Sequence, residues 1–146
     1  MAERFNVRVA VYGIFEEDGK ILLQQRANTS YMNGYYSLPA GHLDPEESIT
    51  MALIRELKEE IGVDVVPEDM TLDYTNYRQS DAPYIIFFFK IKKYSGKIVI
   101  NEPDKCTDLR FFSYDELPEN LVPELKVYFR DRENGKSFND YGKFFY

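Results

Sequence analysis

The alternation of apolar and polar residues along the chain predicts a series of strands interrupted by two helices. Segments rich in β-branched and aromatic residues, bounded by turn-forming residues, are typical of strands. Asp18-Gly19 indicates a tight hairpin between the first two. The continuous apolar run Ile85–Phe89 is typical of a strand buried on both faces. The predicted strands are Phe5–Phe15, Lys20–Arg26, Tyr35–Pro39, Met70–Arg78, Tyr84–Lys93, Lys97–Ile100 and Leu109–Ser113.

The helical periodicity predicts one helix at Ile49–Ile61, ended by Gly62, and a second at Pro123–Asp131. The start of the first helix has two candidates. Asp44, followed by a proline and two glutamates, resembles a capping box, and Ser48 is an equally good cap. Taken together, the elements predict an α/β fold, in which helices pack on a mixed sheet.

The first helix places glutamates where an amphipathic helix needs apolar residues. With Ile49 as reference, the core-facing positions include 56 and 60, and both are glutamates; Glu59 lies on the neighbouring edge. Unpaired buried carboxylates are costly, and carboxylates this close repel each other unless a cation joins them. Oxygen ligands of this kind suit Mg²⁺ or Mn²⁺ better than zinc. The other interpretation is a solvated charged face, which the register of the apolar residues disfavours.

Composition and charge narrow the classes of function. The 146 residues fit a single domain, Met1–Tyr146, without an apolar run long enough to span a membrane. Cys106 is the only cysteine, which excludes an internal disulfide and makes the cytoplasm the default location. The net charge of −7 disfavours duplex nucleic acid, whereas a phosphorylated small molecule can bind if metal ions bridge the negative charges.

The residues Gly41 and Glu47, together with the run Arg55-Glu56-Leu57-Lys58-Glu59-Glu60-Ile61-Gly62-Val63, resemble the complete box of the Nudix hydrolase family. The box covers Gly41–Val63, and the order of the flanking strands is similar to that family over most of the chain. The resemblance implies an α/β/α sandwich with a loop-helix-loop catalytic motif. It also implies hydrolysis of a diphosphate linkage in a nucleotide-like substrate, by in-line attack of water on phosphorus.

The resemblance further implies roles for individual residues. Glu56 and Glu60 are expected to be the principal metal ligands, Glu59 a further or water-mediated ligand, and the carbonyl of Ala40 a backbone ligand. Arg55 is expected to pair with a glutamate, Glu47, and to orient the carboxylates.

The general base stays open at this point, because Nudix enzymes differ in which glutamate they use. Glu56 and Glu59 are the candidates within the box. Glu102 is the candidate on a distant loop, where it is also a candidate metal ligand. Its other interpretation is an ordinary turn carboxylate beside a proline.

The candidate substrate contacts are Arg26, Tyr36, Gly41 and His42. Arg26 could meet a phosphate or be a solvated strand end, and His42 could approach phosphate or be structural. Tyr36 could stack on a base or pack in the core. Two further features have no predicted role in chemistry: Cys106 as a buried apolar residue, and the aromatic tail Tyr141–Tyr146, either docked on the domain or part of a homodimer contact.

The favoured function is a metal-dependent hydrolase of nucleoside diphosphate derivatives, cutting a nucleoside triphosphate or a modified one to a monophosphate and pyrophosphate. The alternative substrates are ADP-ribose and nucleotide sugars. A nucleotide sensor without catalysis is a second class, disfavoured because all box glutamates are present. A Nudix-like isomerase is a third, with only Cys106 to support it.

Overall fold

The computed structural model describes residues 3–140. Within them the chain forms strands and helices in the order β1 (Arg8–Ile14), β2 (Glu16–Glu17), β3 (Lys20–Arg26), β4 (Tyr36–Ser37), β5 (Ala40–His42), α1 (Ile49–Ile61), β6 (Met70–Arg78), β7 (Tyr84–Ile91), β8 (Cys106–Ser113), α2 (Pro123–Glu133) and β9 (Phe138–Asn139). Single 3₁₀ turns lie at Pro67–Asp69 and Tyr114–Glu116. No helix in this part of the chain is long and apolar enough to cross a membrane.

The strands form two sheets, of which the larger is mixed. Its order is β5-β1-β7-β6-β9, with β1 and β7 parallel and β6 and β7 antiparallel. In the smaller sheet, β3 pairs antiparallel with β2, β4 and β8. The predicted hairpin at Asp18-Gly19 is confirmed, since both residues have positive φ and connect β2 to β3. The predicted mixed sheet is also confirmed, because the larger sheet contains both parallel and antiparallel pairs.

The two helices cover opposite faces of the larger sheet. Successive residues of a strand point to opposite faces, and in β1 Tyr12 and Ile14 belong to the apolar cluster that contains Tyr128 of α2. Val11 belongs to the other cluster, with Leu53 of α1. This arrangement is the expected α/β/α sandwich.

Helix α1 begins at the second of the two predicted caps. The Ser48 side chain accepts a hydrogen bond from the backbone N–H of Met51, and Gly62 ends the helix with φ of 76°. Glu47 therefore lies in the loop before the helix. The buried stripe of α1 consists of Ala52, Leu53, Leu57 and Ile61.

The structure corrects the prediction of a strand at Lys97–Ile100. Its β-branched residues do not join a sheet: the backbone N–H groups of Val99 and Asn101 donate to the carbonyls of Ile61 and Glu60. These carbonyls belong to the end of α1, which has no intrahelical donor for them. The segment thus satisfies a helix end instead of extending a sheet. Two other predicted strands are shorter than expected. The first begins at Arg8 and leaves out Phe5, which is 73% exposed. The third covers only Tyr36–Ser37.

Candidate active site

A cleft of about 690 Å³ opens beside the polar face of α1. Its wall on that side comes from α1 and β5, which pairs with β1 at the edge of the larger sheet. A second wall comes from the loop after β3, the paired ends of β6 and β7, and the first turn of α2. A volume of this size is typical of a site for one small molecule.

Four carboxylates line the first wall, together with the backbone of β5. Glu56, Glu59 and Glu60 come from α1, and Glu102 comes from the loop before β8. Glu60 is held against β5, where its Oε2 accepts a hydrogen bond from the Ala40 N–H at 3.3 Å. All residues predicted as metal ligands therefore meet in one cleft.

Burial and mutual repulsion raise the pKa of two of these carboxylates. Burial raises the pKa of Glu60 to about 8, and the nearby charges of Glu56 and Glu102 add to the effect. Burial likewise raises the pKa of Glu56, although Arg55 opposes the shift. A cation among these oxygens would lower both pKa values again, because it favours the charged form of each carboxylate.

Arg55 connects the helix to the loop in front of it. Its Nε and Nη2 donate to the Glu47 carboxylate at 2.7 and 3.1 Å, which confirms the predicted pair. Its Nη1 donates to Glu56 at 2.8 Å and to Glu59 at 3.3 Å, and its Nη2 also donates to the carbonyl of His42. These bonds raise the pKa of Arg55, and hydrogen bonding from Arg55 lowers the pKa of Glu47. Arg55 thus fixes two of the cleft carboxylates without lining the cleft itself.

The carboxylate oxygens of the cleft are of the kind that binds a hard divalent cation, but their side chains do not converge on one point. Within residues 3–140, no three His, Cys, Asp or Glu side chains form a ready metal-ligand cluster. The reason lies in the present partners: Arg55 holds Glu56 and Glu59, and Lys105 lies 3.8 Å from Glu102. A bound divalent cation would take the place of these protein cations beside Glu56, Glu59 and Glu102.

Gly41 allows the close approach of Glu56 to β5. A Cβ atom at this position would lie 2.0 Å from Cγ of Glu56 and 2.1 Å from its Cδ. No side chain can be accommodated there unless Glu56 moves. The glycine is therefore required by the position of the carboxylate and not by an unusual backbone angle.

The structure places three of the four predicted substrate contacts in the cleft. Arg26, Gly41 and His42 line it, and Nε2 of His42 lies 3.2 Å from the Tyr84 hydroxyl. Burial, followed by the charges of Arg26 and Arg8, lowers the pKa of His42, which leaves the imidazole neutral at pH 7.

Tyr36 is the exception, and its prediction as a substrate contact is corrected. Its side chain is buried in the apolar cluster of α2, packs edge-on against Phe112 and donates its hydroxyl to Asp108. It is not among the residues that line the cleft. The physical reason is that β4 pairs with β3 and directs this ring into the core.

Three residues of the second wall, Arg78, Tyr84 and Glu124, are not among the candidates that the sequence offers. Arg78 and Tyr84 come from β6 and β7, Tyr31 comes from the loop after β3, and Glu124 comes from the first turn of α2. No local pattern marks these residues, because they converge from four elements.

The fold and the cleft define a class: an α/β/α domain whose helix presents paired carboxylates to a nucleotide-sized cleft. The family model for the NUDIX domain matches residues 4–132. The chain belongs to the Nudix family and is a Nudix hydrolase.

Two relatives and one solved structure illustrate the similarity. An ADP-ribose pyrophosphatase from Methanocaldococcus jannaschii is 30% identical over 120 residues, which are 82% of this chain and 69% of the relative. An 8-oxo-dGTP diphosphatase from Proteus vulgaris is 29% identical over 98 residues, 67% of this chain and 87% of the relative. The crystal structure of a MutT NUDIX hydrolase from Burkholderia pseudomallei superimposes with a TM-score of 0.77 and 26% identity, covering 84% of this chain and 95% of that one.

Other relatives are much longer than this chain. It spans 29% of the length of an NAD-capped RNA hydrolase from Stutzerimonas stutzeri, to which it is 32% identical over 85 residues.

Proposed function

We propose that this chain is a divalent-metal-dependent hydrolase that cleaves the diphosphate linkage of a nucleoside triphosphate, giving a monophosphate and pyrophosphate. The observation that carries the proposal is the convergence of Glu56, Glu59, Glu60 and Glu102 with the backbone of Ala40 in one cleft. Oxygen donors of this type favour Mg²⁺ or Mn²⁺.

In this proposal, Glu56 and Glu60 hold the metal, with Glu59, Glu102 and the Ala40 carbonyl as further ligands. The bound metal would neutralise phosphate charge and acidify a water molecule. Arg55 keeps the carboxylates in register through Glu47. Glu56, Glu59 and Glu102 are the three carboxylates that can take the proton of the attacking water.

The substrate side of the cleft supports a nucleotide. Arg26 offers a guanidinium to a phosphate, Gly41 offers its backbone, and His42 offers a neutral imidazole. The cleft volume of about 690 Å³ suits a single nucleotide. The 8-oxo-dGTP diphosphatase among the relatives supports a triphosphate, whereas the ADP-ribose pyrophosphatase keeps ADP-ribose as the main alternative.

The test is a hydrolysis panel with Mg²⁺ or Mn²⁺ over nucleoside triphosphates, oxidised nucleotides, ADP-ribose, dinucleoside polyphosphates and nucleotide sugars. We expect metal-dependent release of pyrophosphate, with turnover reduced by orders of magnitude in Glu56→Gln and Glu60→Gln. Glu68→Gln, in an exposed turn away from the cleft, is the control. A panel left uncut with either metal contradicts the hydrolase. A specificity constant for ADP-ribose or a nucleotide sugar at least about tenfold above every triphosphate contradicts the substrate.

Two finer statements stay predictions: a cytoplasmic location and a homodimer. The aromatic tail Tyr141–Tyr146, on which the dimer prediction partly rests, lies outside the described residues. Sedimentation analysis of the purified chain measures the oligomeric state directly.

A further inference from the structure

A second, smaller pocket of about 350 Å³ adjoins the cleft and has no part in the chemistry described so far. It shares His42 and Tyr84 with the cleft, and it is also lined by Arg8, which the cleft does not include. A pocket that continues a substrate cleft and adds a guanidinium is suited to a further anionic group of the same substrate.

The register of the larger sheet places the polar side chains of this pocket on the face that carries the cleft. Arg8 and Ala10 point to the same face of β1, because they are two positions apart. Ala10 lines the cleft and pairs with His42 of β5, and Arg8 pairs with Tyr84 of β7. Arg8 therefore extends the cleft face by one further position, about 7 Å along β1 from Ala10.

Tyr84 connects the pocket to the cleft. Its hydroxyl lies 3.2 Å from Nε2 of His42 and accepts a hydrogen bond from Nη1 of Arg8 at 3.5 Å. Arg78 pairs with Tyr84 on the other side, in β6. The guanidiniums of Arg8 and Arg78 lie 6.0 and 5.6 Å from the centre of the Tyr84 ring. One ring thus separates two cations at the end of the cleft.

Two guanidiniums beside the cleft, those of Arg8 and Arg26, have no carboxylate partner among the described residues. The Arg26 guanidinium donates to the carbonyl of Tyr31, and that of Arg8 donates to the hydroxyl of Tyr84. Both acceptors are neutral, so both positive charges remain uncompensated. In a chain with a net charge of −7, two such cations beside one cleft indicate an anionic ligand that reaches both.

We propose that Arg8, with His42 and Tyr84, forms a second anion subsite that binds the terminal phosphate of a nucleoside triphosphate; this rests on the proposed function. Arg26, inside the cleft, is left for a phosphate nearer the nucleoside. Water attacks the first phosphorus, its bond to the bridging oxygen breaks, and pyrophosphate leaves with the terminal phosphate. Binding at Arg8 therefore favours substrates with a charged group beyond the diphosphate that is cut, and ADP-ribose has only a neutral sugar there.

The first test compares triphosphates with diphosphates of the same nucleosides, in the unmodified protein and in Arg8→Gln. We expect Arg8→Gln to lower kcat/KM for ATP, CTP and GTP by about 5-fold to 20-fold, because a hydrogen bond to a charged group is lost. For ADP, CDP and GDP, which lack the terminal phosphate, kcat/KM should change by less than about twofold. An unchanged ratio between the two sets overturns the subsite.

The matched control is Arg110→Gln, which removes the same charge elsewhere. The Arg110 guanidinium is also exposed and also lies over an aromatic ring, 4.5 Å from the centre of Phe112, but Arg110 lines neither pocket. This variant should keep the ratio of the unmodified protein. Arg8→Lys keeps a cation without the planar fork of donors, so its loss should be smaller than that of Arg8→Gln. Equal losses in Arg8→Gln and Arg110→Gln would assign the effect to net charge and overturn the subsite.

Binding without turnover separates the subsite from the proposed function. Calorimetry with inorganic pyrophosphate, in Mg²⁺ and again in EDTA, should show weaker binding in Arg8→Gln than in the unmodified protein and in Arg110→Gln. If no nucleotide is hydrolysed but Arg8→Gln weakens pyrophosphate binding at least about fivefold, the hydrolase proposal fails and the subsite stands. If triphosphates are hydrolysed efficiently and Arg8→Gln changes neither the ratio nor the affinity for pyrophosphate, the subsite fails and the hydrolase stands.

Discussion

At the scale of single residues, Glu60 combines two unfavourable conditions for a carboxylate: burial and two acidic neighbours. Both raise its pKa, to about 8. The unfolded chain has no such constraint, so Glu60 ionises near its ordinary pKa once unfolded. The metal-free fold is therefore destabilised by this residue wherever the unfolded form is charged.

This difference predicts a pH-dependent effect of Glu60→Gln. Because the pKa is raised in the folded state, the destabilisation is absent below about pH 4.5, grows as the pH rises and is complete above about pH 8. With EDTA present, the variant should exceed the wild type in free energy of unfolding by at least about 1 kcal/mol at pH 8.5, since one pKa unit corresponds to about 1.4 kcal/mol.

Denaturant titrations at pH 5, 7 and 8.5 measure this gain. Glu68→Gln, in the exposed turn Pro67–Asp69, serves as the control and should show no such trend. A gain from Glu60→Gln that is equal at all three values would show that repulsion and burial do not act on this carboxylate.

Gly41 leads to a second residue-scale prediction. In Gly41→Ala the new methyl group would overlap Glu56, whose Cγ lies 2.0 Å from its position. We expect a loss of about 1–3 kcal/mol in stability, as for other overpacked sites, and a drop in kcat/KM of at least about tenfold.

A double-mutant cycle tests the cause of that loss. If the methyl group acts through Glu56, Gly41→Ala should cost much less stability in a Glu56→Ala background, where the overlap is absent. A full loss of stability in that background would assign the effect to the backbone of β5 instead.

At the scale of elements, α1 depends on its ends as much as on its buried stripe. Ser48 satisfies the N–H of Met51 at the start, and the segment at residues 97–101 satisfies carbonyls at the end. The glutamates of the site lie between these two ends. Their positions therefore depend on contacts outside the box.

Replacing the cap tests this dependence. Ser48→Ala should lower the free energy of unfolding by about 1 kcal/mol, because it leaves a helix N–H without its partner. Ser48→Asp keeps an acceptor and should stay within about 0.5 kcal/mol of the wild type. Thermal melts of the three proteins measure these differences in stability, and an equal loss in both variants would exclude a capping role.

At the scale of the whole molecule, the apo protein and the metal-bound protein should differ in stability. A ligand that binds only the folded state adds about 2.7 kcal/mol at a concentration 100-fold above its Kd. We expect saturating Mg²⁺ to raise the melting temperature of the wild type, and EDTA to reverse the rise.

The same melts identify the ligands. Glu56→Gln and Glu60→Gln should lose most of the rise, whereas Glu68→Gln should keep it. A variant with the full metal-induced rise would be removed from the proposed ligand set.

Much of this molecule could be predicted from local pattern. A period of 3.6 residues predicts the helix at Ile49–Ile61 and the polar face that holds Glu56 and Glu60. The residue types in front of the helix give its two cap candidates. The pair of Arg55 and Glu47 followed from the family resemblance, because both lie within one short segment. These features depend on residues close together in the chain, whose relative positions a single element sets.

The remaining features depended on which elements meet in space. The β-branched residues 97–100 indicated a strand, but the end of α1 offers them carbonyl groups instead of a sheet edge. The core buries Tyr36, while Tyr31 reaches the cleft, and the two differ by five positions in the same aromatic stretch. Arg78 and Glu124, 46 positions apart, come within 3.9 Å only because α2 packs on the sheet that contains β6.

Helical periodicity is enough to predict three carboxylates of the acidic wall, because it brings Glu56, Glu59 and Glu60 together within a single element. Long-range packing adds Glu102 and sets the residues of the second wall. Glu124 and Arg78 have no shared period and no spacing that links them, and their contact results from long-range packing of a helix on a sheet. The carboxylates that α1 contributes to the site are thus local in the chain, and the contact between Arg78 and Glu124 is not.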